Sequence, residues 1–275
     1  MSAPIAKDPR VKSVEWRDLL PLSSVEIINE LFIGTPWLLG SWYCYLQGGA
    51  WWITGGCVCA FFFFLCGLRV VHGCYHYAMG IGRWGCEFTM FVLSVLMMSA
   101  MHAIQATHLH HHRHCMDDED IEAWSAKLPG WQALLFGPIF TWNLHTWGWK
   151  LCKNKKRKRW LVAEFIAVPL FTLFVFFGLE HISPAAATVM KIHVIVMAIG
   201  QCGTGFFAVW TVHHDCDRDG VYARTQKGWV KNFISYNMFH HVEHHLYPAV
   251  PTCHLPRLAQ RLEAAMPEAR SKGVY

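Results

Sequence analysis

The stretches of chain that separate three clusters of histidine are apolar, and this alternation limits the fold more than any other feature of the sequence. The clusters are HGCYH at 72–76, HLHHH at 108–112 and HVEHH at 241–245. On an α-helix, residues three or four apart share a face, so HxxxH and HxxHH spacings aim the spaced imidazoles of each cluster together. Imidazoles meant for one site must lie on one side of any membrane the chain crosses, so the apolar segments between them must cross in pairs or turn back. The spaced histidines number two, three and three, which exceeds the coordination sphere of one octahedral ion, so two metal ions are the economical reading. Neutral imidazole suits zinc, copper, iron and nickel alike, and spacing alone does not choose among them. A single histidine on an apolar helix is an ordinary hydrogen-bonded core residue. Ten of the 18 histidines here, however, lie in or directly against the clusters: His72, His76, His108, His110, His111, His112, His240, His241, His244 and His245.

Hydrophobic residues make up 53% of the 275-residue chain and charged residues 16%, the balance of a chain that crosses a membrane several times. A crossing needs about 20 apolar residues, and the runs Leu31 to Leu46, Trp51 to Val71, Trp160 to Leu179 and Ala187 to Val212 supply four candidates. A fifth run, Phe88 to Ile104, separates the first two clusters. A simple crossing there would put them on opposite sides, so it reads as re-entrant, as interfacial, or as folded back through the Gly80, Gly82 and Gly85 stretch. The Trp-rich stretch Trp131 to Trp149 reads as headgroup-layer structure. The expected fold is thus all-α: a polytopic membrane helical bundle of about four transmembrane helices plus interfacial helices.

The basic run Lys153, Lys155, Lys156, Arg157, Lys158 and Arg159 directly precedes the third candidate span. By the positive-inside rule its end is cytoplasmic, and with four spans both termini and the histidine-rich metal site fall on that side. Beside a span the same run is no nucleic-acid site. The charged first thirty residues suggest no cleavable signal peptide, and the 11 cysteines, with no CxxC pair, suggest packing residues in a reducing setting. A single domain is expected over 1–275, with its motif-bearing core at 31–262.

In this order, and separated by apolar runs, HGCYH, HLHHH and HVEHHLYPAVP resemble the membrane fatty acid desaturase superfamily. The stretch from Phe239 to Leu258 is most similar to the acyl-lipid desaturase branch, whereas the first two clusters fit carotenoid ketolases and hydroxylases equally well. The resemblance implies a non-haem centre of two iron ions that activates dioxygen beside an alkyl chain. It carries ligand roles onto His72 and His76, onto His108, His111 and His112, and onto His241, His244 and His245. A further ligand precedes the third box, at His213 or His214, with His214 preferred. His110, His114 and His240 fall off the pattern and stay unassigned. The family's first box more often carries Asp where this chain has Gly73, so a hydrogen bond to a ligand must come from elsewhere, with Asp117, Asp118, Asp120 and Glu243 as candidates.

Removing hydrogen from an unactivated methylene needs a strong oxidant that no side chain supplies. Dioxygen takes four electrons and a desaturation yields two, so an outside donor is required. The chain has no cysteine cluster for iron–sulfur, which makes that donor a separate protein of ferredoxin or cytochrome type. Lys153 to Arg159 offers it a basic docking patch. The expected activity is O2-dependent introduction of a double bond into a lipid acyl chain. The alternatives are a carotenoid ketolase or hydroxylase and, from another class, a non-enzymatic membrane haem- or metal-binding protein. A haem carrier would place paired histidines midway along facing spans, whereas here they cluster beyond the span ends.

Overall fold

The computed structural model describes residues 8–216, 223–226 and 228–267, which form fifteen α-helices with short π and 3-10 turns between them. In chain order these are α1 (Pro9–Ser13), α2 (Ser24–Phe32), α3 (Thr35–Gln47), α4 (Ala50–Tyr75), α5 (Gly82–Leu96), α6 (Met101–His114), α7 (Ala123–Ala126) and α8 (Gly130–Leu135). Then come α9 (Gly137–Leu151), α10 (Lys155–Leu173), α11 (Pro184–Cys202), α12 (Thr211–His213), α13 (Trp229–Ile234), α14 (His241–Leu246) and α15 (Leu255–Ala265). Among the described residues the only β-type pairing is a single bridge between Thr225 and His240. The chain is an all-α membrane bundle.

Among the described residues, three helical segments are long and apolar enough to cross a membrane: α4, α10 with its continuation to His181, and α11. The pair α5 and α6 makes a fourth if it counts as one span, but it is bent by 117° at Met97–Ala100. The run expected to be re-entrant, interfacial or folded back at Gly80, Gly82 and Gly85 thus bends within itself, past those glycines. The candidate span Leu31 to Leu46 needs correction, because it is interrupted at Ile33–Gly34. Its first part belongs to α2, whose exposed stripe of Val25, Ile28 and Phe32 marks a helix lying along a surface. Its second part, α3, has 13 residues, about 20 Å at 1.5 Å per residue and short of a full crossing. Gly48 and Gly49, at φ 66° and 78°, turn α3 back onto α4. The candidate Ala187 to Val212 is likewise broken, since α11 stops at Cys202 and a π turn over Gly205–Trp210 follows. Apolar content sets where a chain avoids water but not where its helix changes register.

Two buried ionic contacts fix the elements that carry the histidines. Arg69 of α4 pairs with Glu30 of α2 at 2.5 Å, both nearly fully buried. His102, fully buried at the start of α6, lies between Glu164 of α10 (Nδ1 to Oε1, 2.6 Å) and Glu87 of α5 (Nε2 to Oε2, 2.7 Å). The Glu164 carboxylate also accepts from Ser94 Oγ (2.5 Å) and the His102 backbone N–H (3.0 Å). Three helices are thereby joined at the bend, and a charge left without its partner there would be destabilising by about 3 to 5 kcal/mol. On the other flank of α6, Gly148 of α9 packs directly on the Ala103 backbone, where any side chain would overlap the main chain.

The main core runs through α4, α5, α6, α9 and the second π turn, with Phe64, Met90, Met97, Met101, Phe140 and Leu144 fully buried. A smaller core joins the two ends of the chain: Val11, Val14 and Leu19 pack on Tyr247, Leu255, Leu258 and Leu262. Polar contacts lock it. Tyr247 OH donates to the Val11 carbonyl, His254 bonds the Leu19 carbonyl (2.7 Å), and Arg261 grips both Asp18 oxygens (2.6 Å each).

Candidate metal centre

Each histidine box sits at a helix end that points into one chamber. His72 occupies the last turn of α4 and His76 follows its end, while His108, His111 and His112 lie in the last turns of α6. His241, His244 and His245 occupy the short helix α14. That helix is anchored at Thr225, whose hydroxyl donates to Glu243 (2.5 Å) and whose backbone bridges His240.

The imidazoles separate into two adjoining groups. In the first, the Nε2 of His108 is 3.0 Å from that of His76 and 3.1 Å from that of His112, and His112 is 3.0 Å from the Nε2 of His244. His72 completes it, its ring 4.1 Å from that of His244. In the second, the Nε2 of His111 is 3.2 Å from that of His213 and 3.3 Å from that of His245, and His213 is 3.0 Å from the Nε2 of His241. The rings of His112 and His245 stack at 4.4 Å across the boundary between the groups.

The spacing of these nitrogens is a test of fit. Nitrogens held about 2.1 Å from an ion stand about 3.0 Å apart along the edge of an octahedron and about 3.4 Å apart on a tetrahedron. The observed 3.0–3.3 Å lies between the two, within the range that ligands of one ion adopt. Lone pairs brought so close repel unless a cation or a shared proton lies between them. His72 Nε2 is moreover buried with no hydrogen-bond partner, a condition that a metal relieves. Burial first, and the neighbouring imidazoles second, hold His241, His244 and His245 well below the ordinary histidine pKa. They are therefore neutral, the form that binds metal.

Carboxylates behind the rings set which nitrogen faces inward. Asp120 accepts from His111 Nδ1 at 2.7 Å, and Glu122 accepts from His108 Nδ1 at 3.2 Å and from Thr107 Oγ1 at 3.0 Å. A proton fixed on Nδ1 leaves the Nε2 lone pair aimed at the chamber. Burial pushes the Asp120 carboxyl up, but the His111 ring and the backbone N–H groups of Met116 and Ala123 outweigh it and leave its pKa lowered. Burial dominates at Glu122, whose pKa is pushed up to about 7.

Eight of the nine histidines expected as ligands lie in the two groups: His72, His76, His108, His111, His112, His241, His244 and His245. His214 does not. It follows the end of α12 in extended conformation, and its ring lies flat on Trp210 at 3.8 Å with Nδ1 bonded to the Trp210 carbonyl. His213, still helical, takes the place in the chamber. Of the carboxylates singled out, Asp120 reaches a ring of the site, whereas Asp117 bonds His114 (3.0 Å), Glu243 bonds Thr225 and Asp118 is exposed. Glu122 went unnoticed because nothing in the acidic run 117–122 marks it; the signal is the fold-back of that run onto α6. Gly73 itself has Met79 Sδ where a side chain would begin, 2.5 Å from its ideal Cβ position.

An apolar cavity adjoins the chamber. Leu68, Val71, Ile104, Phe140, Leu144 and Val209 form much of its wall, and His72, His108, His111, His213 and His241 close one side. Thr204, Ala208 and Val209 reach it from in and beside the π turn, whose altered register carries the chain on to His213.

In comparisons with known proteins, the sequence model of the fatty acid desaturase family matches residues 49–272. No curated protein and no solved structure matches the chain.

Proposed function

The chain belongs to the fatty acid desaturase family, and is thus a membrane oxidoreductase of that superfamily; from this premise we propose that it introduces a double bond into a lipid acyl chain in an O2-dependent reaction. The observation that carries the reading is the pair of imidazole groups with nitrogens 3.0–3.3 Å apart, set against an apolar cavity. His72, His76, His108, His112 and His244 would hold one iron ion, and His111, His213, His241 and His245 the other. When bound, the pair of irons supplies the oxidising power that removing hydrogen from a methylene demands.

The protein's own part is geometry and exclusion of water. Asp120 and Glu122 hold His111 and His108 by Nδ1, which keeps the inward nitrogens aimed. Leu68, Val71, Phe140 and Leu144 offer an alkyl chain a dry, apolar wall along which shape governs the fit. The buried Glu122 carboxyl, with its pKa near 7, can hold a proton beside His108. Two electrons per turnover come from a separate ferredoxin-like or cytochrome-like protein, with Lys153 to Arg159 as its docking patch. In this reading the histidine chamber and both termini face the cytoplasm.

The experiment is expression in a host of known lipid content, with iron analysis of the purified protein. Close to two irons per chain are expected, with a position-specific double bond in host lipids only when oxygen and a donor are both present. One zinc and no iron would overturn the metal assignment. Unchanged lipids together with keto or hydroxy pigments in a carotenoid-producing host would replace dehydrogenation by oxygen insertion.

A further inference from the structure

Between His213 and the third box the chain forms α13, whose apolar side is bare among the described residues. Trp229, Val230, Phe233 and Ile234 are 83%, 47%, 75% and 43% exposed. At 100° per residue they fill one arc of about 140°, with Lys231, Asn232 and Ser235 on the remainder. This is the pattern of a helix lying in an interface.

The two sides of α13 are tied to different parts of the molecule. Tyr236, just past its end, accepts from Trp37 Nε1 at 2.8 Å, and Trp37 stacks on Phe62 of α4 at 4.7 Å. That contact ties the end of α13 to the start of α3 and, through Phe62, to α4. On the polar side, Asn232 Nδ2 donates to the Gln226 carbonyl (2.9 Å) and Gln226 Nε2 donates to the Thr211 carbonyl (2.9 Å), two residues before His213. At the far end Tyr236 and Asn237 stand at φ 51° and 67°, a left-handed turn that is strained for a tyrosine. Met238, lining the cavity, comes next and His241 soon after.

We propose that α13 lies in the plane of the bilayer with Trp229 and Phe233 among the acyl chains, and that membrane lipid beside it is the source of the chain that the cavity receives. The second half rests on the acyl-chain reading above. Lipid is favoured over a partner protein by the tie of Tyr236 to Trp37 at the start of α3 and through it to α4, a helix long and apolar enough to cross a membrane. Tryptophan within the arc and Lys231 on the water side, next to lipid headgroups, suit the same occupant.

The test places p-benzoylphenylalanine at Phe233 of the full-length, iron-loaded protein in phospholipid nanodiscs and in native membranes, followed by irradiation and mass spectrometry. Leu170, 58% exposed on α10, is the lipid-facing control, and the exposed Glu119 is the water-facing one. Phospholipid adducts at 233 in a yield comparable to that at Leu170 are expected. A yield no higher than at Glu119, or adducts chiefly to another protein, would overturn the seating of α13. In Trp229→Asp and Phe233→Asp, conversion of nanodisc phospholipid should fall about tenfold or more at unchanged iron content and helicity. Unchanged conversion would overturn the lipid source. Lipid adducts at 233 in an unaltered protein that converts no acyl chain would sink the acyl-chain reading and leave the seating of α13 standing.

Discussion

Replacing Asp120 by Asn keeps the size of the side chain and one of its two oxygens, and the four hydrogen bonds it now accepts show what must be lost. Oδ2 takes the Nδ1–H of His111 (2.7 Å) and the Met116 N–H (2.8 Å); Oδ1 takes the Glu122 and Ala123 N–H groups (3.0 and 3.2 Å). An amide cannot serve both pairs. If its oxygen stays with Glu122 and Ala123, its NH2 faces His111, and the ring must accept at Nδ1 and carry its proton on Nε2, where it cannot bind metal. If the amide turns over, NH2 meets two backbone donors and the turn that carries Glu122 loosens. Either way the support behind one ligand fails, which weakens metal binding about 10- to 100-fold, or about 1.4 to 2.7 kcal/mol. The assay is iron retained per chain after dialysis against graded chelator, with a thermal melt to show that the bundle persists. A chelator midpoint equal to that of the unaltered protein would refute the role of Asp120.

Three further outcomes are expected. His213→Ala should lower iron content and abolish turnover while His214→Ala leaves both near normal, measured by metal analysis and product formation; the reverse pattern would mean that the chamber is misassigned. Gly148→Leu drives a side chain into the Ala103 backbone, and such overpacking is destabilising by about 1 to 3 kcal/mol or more, so the detergent melting temperature should drop clearly. Glu26 is held by Ser23, by side chain and backbone, and then by His254, and its pKa is lowered from 4.5 to about 2. A lowered carboxylate stabilises fully above its unfolded value and loses that contribution as pH falls through the folded one. Glu26→Gln should therefore flatten the loss of stability between pH 4.5 and pH 2, measured by melts across that range.

Much of this was legible in the sequence, for reasons visible at particular residues. Runs such as Trp51 to Val71 and Trp160 to Leu179 name their helices because unbroken apolar chain has few other stable forms in lipid. The turn-back between the first two boxes follows from the demand that His72 and His108 meet. The break at Ile33–Gly34 is marked only by Gly34 and Pro36, which an apolar run from Leu31 to Leu46 reads straight through. The choice between His213 and His214 depends on the residue at which α12 ends, a one-residue matter that composition does not encode. Asp120 and Glu122 find their rings through fold-backs of 9 and 14 residues, and carboxylates in an acidic run look alike until the chain is folded.

The clamp between the chain's two ends bears on the order in which the protein is made. Tyr247, His254 and Arg261 grip residues 235 to 246 positions away, at Val11, Leu19, Glu15 and Asp18. The segment Val11 to Leu19 must wait for 235 or more further residues before its partner emerges, and contacts of such separation close late. The third box stands directly before that clamp, so His241, His244 and His245 arrive after α4, α10 and α11 have had time to insert. A ribosome-stalled or truncated chain ending before residue 241 would carry its apolar helices and the first two boxes, yet lack the residues that close either imidazole group. Closure of the two imidazole groups is on this account a late event of biogenesis, performed on a chain already committed to its membrane.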